Sequence, residues 1–163
     1  MTISLIAAMG TNRVIGNGPK MPWRLPDELA YFMNTTRDHW VLMGRLTFES
    51  YKSVMKNHKV IVVTRKQGYD AGYAKVVNSI SEGIDLARDK GEQELFISGG
   101  GQIFEESLPL AKRIYITIID QDFEGDVYFP KYDHLAWKLI SEKFHNTDKR
   151  HLFSFTYYIY ESV

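Results

Sequence analysis

Ile3 to Met9 reads Ile-Ser-Leu-Ile-Ala-Ala-Met, an apolar run with little polar alternation, closed by Gly10. A strand of that pattern is buried on both faces, so its sheet needs a layer of other elements on each side. Lys59 to Val63 and Glu94 to Ser98 are similar runs, and Trp40 to Met43, Tyr73 to Val77 and Ile114 to Ile119 read as further strands. Helical segments alternate with them, at 26 to 37, Phe48 to Val54, Ser81 to Asp89 and Gln102 to Leu108. Ser79 is placed to cap the third helix, whose Ile80, Ile84 and Ala87 face inward, and Gly91 stops it. Trp137 to Lys143 and Leu152 to Tyr160 then follow as two strands with no helix between them. The expectation is an α/β fold with a mostly parallel central sheet, helices on both faces and a C-terminal antiparallel edge hairpin.

At 163 residues the chain suits one domain. Twenty basic residues balance twenty acidic ones, which leaves no broad positive field to attract nucleic acid or anionic lipid. Ile3 to Met9 is too short to span a bilayer and no basic region precedes it, so the chain reads as cytoplasmic. Zero cysteines exclude disulfides and thiolate chemistry. His39, His58, His134, His145 and His151 are scattered along the chain without metal-ligand spacing, and no metal is expected. No nucleophile motif is present either.

Chemistry concentrates in Met21 to Phe32. Pro26 suits the first position of a helix, where its missing N–H would have had no partner, and it pushes Leu25 out of helical angles. With Glu28 at zero and about 100° per residue, Leu25, Phe32, Thr36 and Leu29 fall at roughly 60°, 40°, 80° and 100°. Glu28 therefore borders the buried stripe, and Asp27 points roughly 100° away from it. Two acids in a first turn can simply complement the helix dipole. A carboxylate among Leu, Phe and Trp must instead find a partner or shift its pKa upward, and a cationic or amide-like ligand edge would be such a partner.

The strand ends carry the remaining signals. Gly99-Gly100-Gly101 joins a strand directly to a helix, an arrangement whose backbone N–H groups can hold a pyrophosphate, although Phe104 stands where the full dinucleotide fingerprint has its last glycine. Gly44 followed by Arg45, and Thr64 followed by Arg65 and Lys66, add close approach, hydroxyl and charge at two more strand ends. Thr11 to Lys20 is an irregular, glycine-bearing loop that could close over a ligand, and Asp120 to Pro130 is a second turn-rich loop. Ligands of open α/β sheets bind at the carboxyl ends of strands. Redox chemistry on a bound heterocycle is the reading these residues support.

In their order and spacing these motifs resemble the bacterial dihydrofolate reductases from end to end. The resemblance rests on Ile6-Ala7-Ala8, Val14-Ile15-Gly16, Pro22-Trp23 with Leu25-Pro26, and Met43-Gly44-Arg45 with Thr47. Gly99-Gly100-Gly101, and Glu124-Gly125-Asp126 before Phe129-Pro130, complete it. It implies a dihydrofolate reductase-like domain over 1–163, its adenosine-binding part near 39–90. The implied reaction is NADPH-dependent reduction of 7,8-dihydrofolate, with hydride passing to pterin C6 and a proton to N5.

Residue by residue, the resemblance implies that Glu28 binds the pterin amino group and adjacent ring nitrogen, supported by Thr117, with Trp23 in the catalytic set. Ile6, Ala7, Ala8, Leu29, Phe32, Ser53, His58 and Ser98 would contact the substrate. Ala8, Val14, Ile15, Gly16, Asn17, Gly18, Pro19 and Lys20 would meet the nicotinamide side of the cofactor within a lid running from Asn12 to Arg24, and Asp126 would steady that lid from the opposing loop. Arg45, Thr64 and Arg65 would take the 2′-phosphate, with Gly44, Leu46, Asn78 and Ser79 nearby. Thr47, Gly99, Gly100, Gly101, Gln102, Ile103 and Phe104 would surround the pyrophosphate, with a cis peptide at Gly99-Gly100.

The chain departs from the family pattern at His58, which stands where relatives nearly always have an Arg for the glutamate tail. An imidazole cannot reproduce the bidentate fork of a guanidinium. That departure keeps open a reductase of a tail-less dihydropterin, and loss of turnover would leave an NADPH-binding protein. Asn17-Gly18-Pro19 and Ser98-Gly99 resemble some mobile, trimethoprim-insensitive reductases, which implies reduced inhibitor sensitivity. A monomer is expected.

Overall fold

The computed structural model describes residues 1–18, 20–133 and 135–163. In chain order the elements are β1 (Thr2–Gly10), β2 (Val14–Gly16), α1 (Pro26–Thr35), β3 (Trp40–Gly44), α2 (Arg45–Tyr51), β4 (Lys59–Val63) and β5 (Lys75–Val77). There follow α3 (Ile80–Asp89), β6 (Glu94–Ile97), α4 (Gly101–Ser107) with a short 3-10 turn at Leu108–Leu110, β7 (Arg113–Ile119), β8 (Val127–Tyr128), β9 (Trp137–His145) and β10 (Phe155–Ser162).

Eight of the described strands form one sheet in the order β5-β4-β3-β6-β1-β7-β10-β9, and β2 pairs separately with β8. All neighbours from β5 to β7 run parallel, whereas β10 is antiparallel to both β7 and β9. The expected parallel sheet with an antiparallel edge hairpin is therefore what the chain forms.

Successive residues of the central strands feed two different cores, as a sheet covered on both faces requires. Val41 and Met43 of β3 pack in one cluster with Phe48 of α2, which Phe32 and Met33 of α1 join. Leu42 packs in the other with Ile84 and Ala87 of α3 and Phe104 of α4. At Gly83 in α3 an added Cβ would lie 2.5 Å from Leu42 Cδ1, so this glycine allows the helix to approach the sheet. A third cluster joins Trp23 and Leu25 to Ile119 and Phe155, anchoring the entry to α1 against β7 and β10.

The structure differs from the sequence reading at several ends. The two loops expected at Thr11 to Lys20 and Asp120 to Pro130 contain β2 and β8, whose pairing is antiparallel. Helix α2 begins at Arg45 rather than Phe48, because Gly44 holds an extended N-cap backbone directly after β3. Strand β10 begins at Phe155 rather than Leu152, since Asp148 and His151 exchange backbone hydrogen bonds in a turn that takes up the preceding residues.

Candidate active site

The carboxyl ends of β1, β3 and β6 open into a cavity of about 710 Å³, walled also by α1, α2, the start of α4 and the β2–β8 loops. Its acid is Glu28. Pro26 opens α1 with Leu25 extended before it, which sets Glu28 in the first turn with its side chain turned inward and 9% exposed. Opposite it, the parallel register of β1 and β7 sets Ala8 beside Thr117. The Thr117 hydroxyl donates to Glu28 Oε1 at 3.2 Å. Burial pushes the Glu28 carboxyl up to about 7, against a smaller lowering effect of the Thr117 hydrogen bond. Apolar surroundings thus keep an acid that can hold or release a proton near neutrality.

Asp27, one residue earlier, has the opposite surroundings. His145 Nε2 donates to its Oδ2 at 2.8 Å, and that hydrogen bond holds the carboxyl below its usual range. The wheel reading of one inward and one outward acid therefore matches the geometry.

At the other end of the cavity, Gly44 N–H donates to Gly99 O at 2.8 Å and Ser98 N–H to Leu42 O at 3.0 Å, so the ends of β3 and β6 stay side by side. The Gly99-Gly100 peptide is cis, as the resemblance implies. A Cβ on Gly100 would lie 3.4 Å from Thr47 Oγ1, and one on Gly101 would lie 2.9 Å from Val127 Cγ1. The glycines thus leave a backbone-lined slot, with the Thr47 hydroxyl beside it, that a side chain would narrow. Arg45 stands at the first position of α2 and reaches Glu49 at 3.1 Å. The two loops carrying β2 and β8 are tied by Gly18 N–H donating to Asp126 Oδ1 at 2.8 Å and by Asp126 N–H donating to Gly16 O at 3.2 Å. At Gly125 a Cβ would meet Gly16 O at 2.3 Å, so only glycine permits this closeness.

Of the residues singled out from sequence, Ile6, Ala7, Ala8, Glu28, Leu29, Phe32 and Ser98 line the cavity around Glu28. Ile15, Gly16, Gly18, Lys20, Gly44, Arg45, Leu46, Thr47, Gly100 to Phe104 and Asp126 line the rest. Thr117 acts one bond behind Glu28. Trp23 lies in the third core cluster, its Nε1 buried with no hydrogen-bond partner among the described residues. Val14, Asn17, Ser53, His58, Thr64, Arg65, Asn78, Ser79 and Gly99 are not part of the cavity wall. His58 turns Nε2 toward Met33 O at 3.3 Å. Pro19 falls outside the described residues.

Met21, Met43, Ser50, Tyr51, Val63 and Val127 line the cavity without having been given a ligand role from sequence. A helix starting at Arg45 would have exposed the signal for two of them, since Thr47, Ser50 and Tyr51 then share one face. Two histidines that read as scattered also meet: the His145 and His151 ring centroids lie 4.7 Å apart, beside Asp27 and outside the cavity wall.

Comparison with known proteins gives a consistent result. A family model described as dihydrofolate reductase matches residues 2–162. The dihydrofolate reductase of Bacillus subtilis (strain 168) is 39% identical, over 98% of this chain and 94% of its own. The dihydrofolate reductase type A13 of Escherichia coli is 37% identical, over 86% of this chain and 85% of its own. Among solved structures, the Enterococcus faecalis dihydrofolate reductase complexed with NADP(H) and RAB-propyl superposes with a TM-score of 0.91 at 32% identity, covering 99% of this chain and 96% of that one.

Proposed function

The chain belongs to the dihydrofolate reductase family, and on that premise we propose how its own residues divide the work. The enzyme reduces 7,8-dihydrofolate to 5,6,7,8-tetrahydrofolate with NADPH, which when bound supplies the hydride for pterin C6. The observation that carries the assignment of roles is Glu28, a carboxyl buried at the carboxyl ends of the strands and raised to about 7. Ionised, it accepts hydrogen bonds from the pterin amino group and the adjacent ring N–H, a pairing that repays its desolvation. Its negative charge favours protonation of the bound ring, and the apolar wall of Ile6, Leu29 and Phe32 keeps that interaction undiluted by solvent. Thr117 orients Oε1, and Trp23 offers an indole N–H that has no partner among the described residues.

The residues at the other end fit NADPH. The glycine slot at Gly44 and Gly99 to Gly101, with Thr47 Oγ1 beside it, suits a pyrophosphate, and Arg45 is a cation at the cavity wall. Arg65 and Thr64, just beyond the wall at the end of β4, take the 2′-phosphate together with Arg45, in an adenosine-binding part near 39–90. The Gly18 to Asp126 bond steadies the lid over the nicotinamide.

His58 favours one second reading, since its Nδ1 is buried with no partner among the described residues and its Nε2 faces a carbonyl rather than open solvent. NADPH oxidation assayed with dihydrofolate, with a dihydropterin lacking the benzoyl-glutamate, and with NADH in place of NADPH separates the readings. Turnover of dihydrofolate well above the tail-less compound supports a folate enzyme whose tail is held by other residues. Equal turnover of both points to a tail-less substrate, and inactivity with both leaves an NADPH-binding protein.

A further inference from the structure

Beside the first turn of α1, Asp27, His145, Asp148 and His151 each bring one potential ligand atom into a group lying within 4.8 Å of one another. They come from three parts of the chain: the helix start, the end of β9, and the turn before β10. The orientation of the rings is the informative part. His145 Nδ1 lies 2.7 Å from Asn146 O, and His151 Nδ1 lies 2.7 Å from Asp148 Oδ1. A carbonyl and a carboxylate only accept, so each Nδ1 carries the proton and donates. Each Nε2 then faces the same atom from the other side of its ring, Asp27 Oδ2, at 2.8 Å for His145 and 3.9 Å for His151.

We propose that Asp27, His145 and His151 form a binding site for a divalent cation of the Zn²⁺ type, with Asp148 as the carboxylate behind His151. Metal-binding histidines are held in this way, by a carbonyl or carboxylate on the nitrogen away from the ion, which fixes the ring and raises its basicity. Two imidazole nitrogens and one carboxylate oxygen suit zinc, whereas calcium and magnesium take oxygen ligands. The rings are also braced. His145 stacks on Phe155 with centroids 4.4 Å apart and planes 13° apart, and the His151 side chain has no solvent exposure. Asp27 is 40% exposed, which leaves solvent access for the fourth position of an ion.

The groups already contacting these atoms define what binding requires. Ligand atoms around tetrahedral zinc sit about 3.3 Å apart, so the ion displaces the His145 Nε2 proton to solvent and the 2.8 Å contact with Asp27 opens by a fraction of an ångström. His151 Nε2 at present accepts the Asp27 N–H at 3.0 Å, and the ion takes that lone pair instead. The amide released belongs to the first turn, where a helix supplies no internal partner. Arg150 Nη1, 3.4 Å from Asp27 Oδ1, is a competing cation on a side chain 65% exposed, free to withdraw. The bound ion would tie the connection between β9 and β10 to the helix turn that carries Glu28.

The test is a titration of the metal-stripped protein with ZnCl₂ in a non-chelating buffer, followed by calorimetry and by the imidazole C–H signals in NMR. The expected result is one equivalent bound at micromolar concentration or tighter. The signals of His145 and His151 should move, while those of His39 and His58 stay in place. Asp148→Asn should weaken binding by roughly tenfold or more, as loss of a carboxylate behind a ligating histidine does, and His145→Gln should weaken it further. No binding up to about 1 mM, ion-dependent shifts confined to other histidines, or an affinity unchanged in His145→Gln would each overturn the proposal; the NMR readout on the unaltered chain does not depend on any variant folding.

Discussion

Two carboxylates at opposite ends of the same sheet show what separates holding a fold together from performing chemistry. Glu94 opens β6 and collects three donors from two neighbouring strands: Ser4 Oγ at 2.6 Å, Tyr115 Oη at 3.0 Å and Arg113 Nη1 at 3.4 Å. Arg113 extends the network to Glu161 on β10 at 3.2 Å, so four strands are joined at their amino-terminal side. Burial first, and then Glu94, push the Tyr115 hydroxyl up to about 12, which keeps it a donor at any physiological pH. Glu28, near the carboxyl ends of the strands, has one hydrogen bond from a protein group among the described residues. The first acid is satisfied by the protein; the second is left for a ligand to satisfy.

That contrast predicts opposite responses to removing each charge. Glu28→Gln has the largest expected effect, a loss of roughly 10²- to 10⁴-fold in turnover at about pH 8, the scale of removing an acid–base group. The loss should shrink toward acid pH, where solution protonates the pterin, and an unchanged steady-state pH profile would reject the role. The same variant should stabilise the ligand-free protein. The folded-state pKa of Glu28 stands at about 7 against an ordinary value of 4.5. Its contribution to stability is therefore fully present below about pH 4.5 and is lost as pH rises through about 7. Denaturant unfolding at about pH 8 should show a gain of up to on the order of 3 kcal/mol, the equivalent of that shift.

Glu94→Ala should do the reverse. Leaving Arg113, Tyr115 and Ser4 without their common acceptor costs about 2–4 kcal/mol in denaturant unfolding, with kcat of the folded enzyme retained. A stability loss below about 0.5 kcal/mol would remove the distinction between the two acids. Arg65→Ala should raise KM for NADPH by roughly 10- to 100-fold, the value of a charge-assisted hydrogen bond, and leave KM for NADH in place. An equal change with both cofactors would show that Arg65 does not read the 2′-phosphate. The smallest effect belongs to Thr117→Val. Removing the bond that lowers the Glu28 pKa should move the pH profile upward and cost a few-fold in kcat/KM at neutral pH.

The same contrast explains what could be read from the sequence. Glu28 was legible because Pro26 fixes the helix start and the spacing of Leu25, Phe32 and Thr36 defines the buried face. The parallel sheet was legible in its apolar runs. The β2–β8 pairing was not, since strands of three and two residues carry no periodicity. Ser50 and Tyr51 were missed because Gly44 starts α2 a turn earlier than its apolar residues suggest. The cluster of Asp27, His145 and His151 was out of reach, because Asp27 is more than a hundred residues from the two histidines and meets them only once β10 has paired with β7.

The most direct test of the account is the pKa of Glu28 itself, read from the ¹³C shift of its carboxyl carbon in the ligand-free protein across a pH titration. The account predicts a midpoint near 7. A midpoint close to the ordinary 4.5 would mean that the acid is already satisfied by the protein, and that the cavity is not built around an unmet charge.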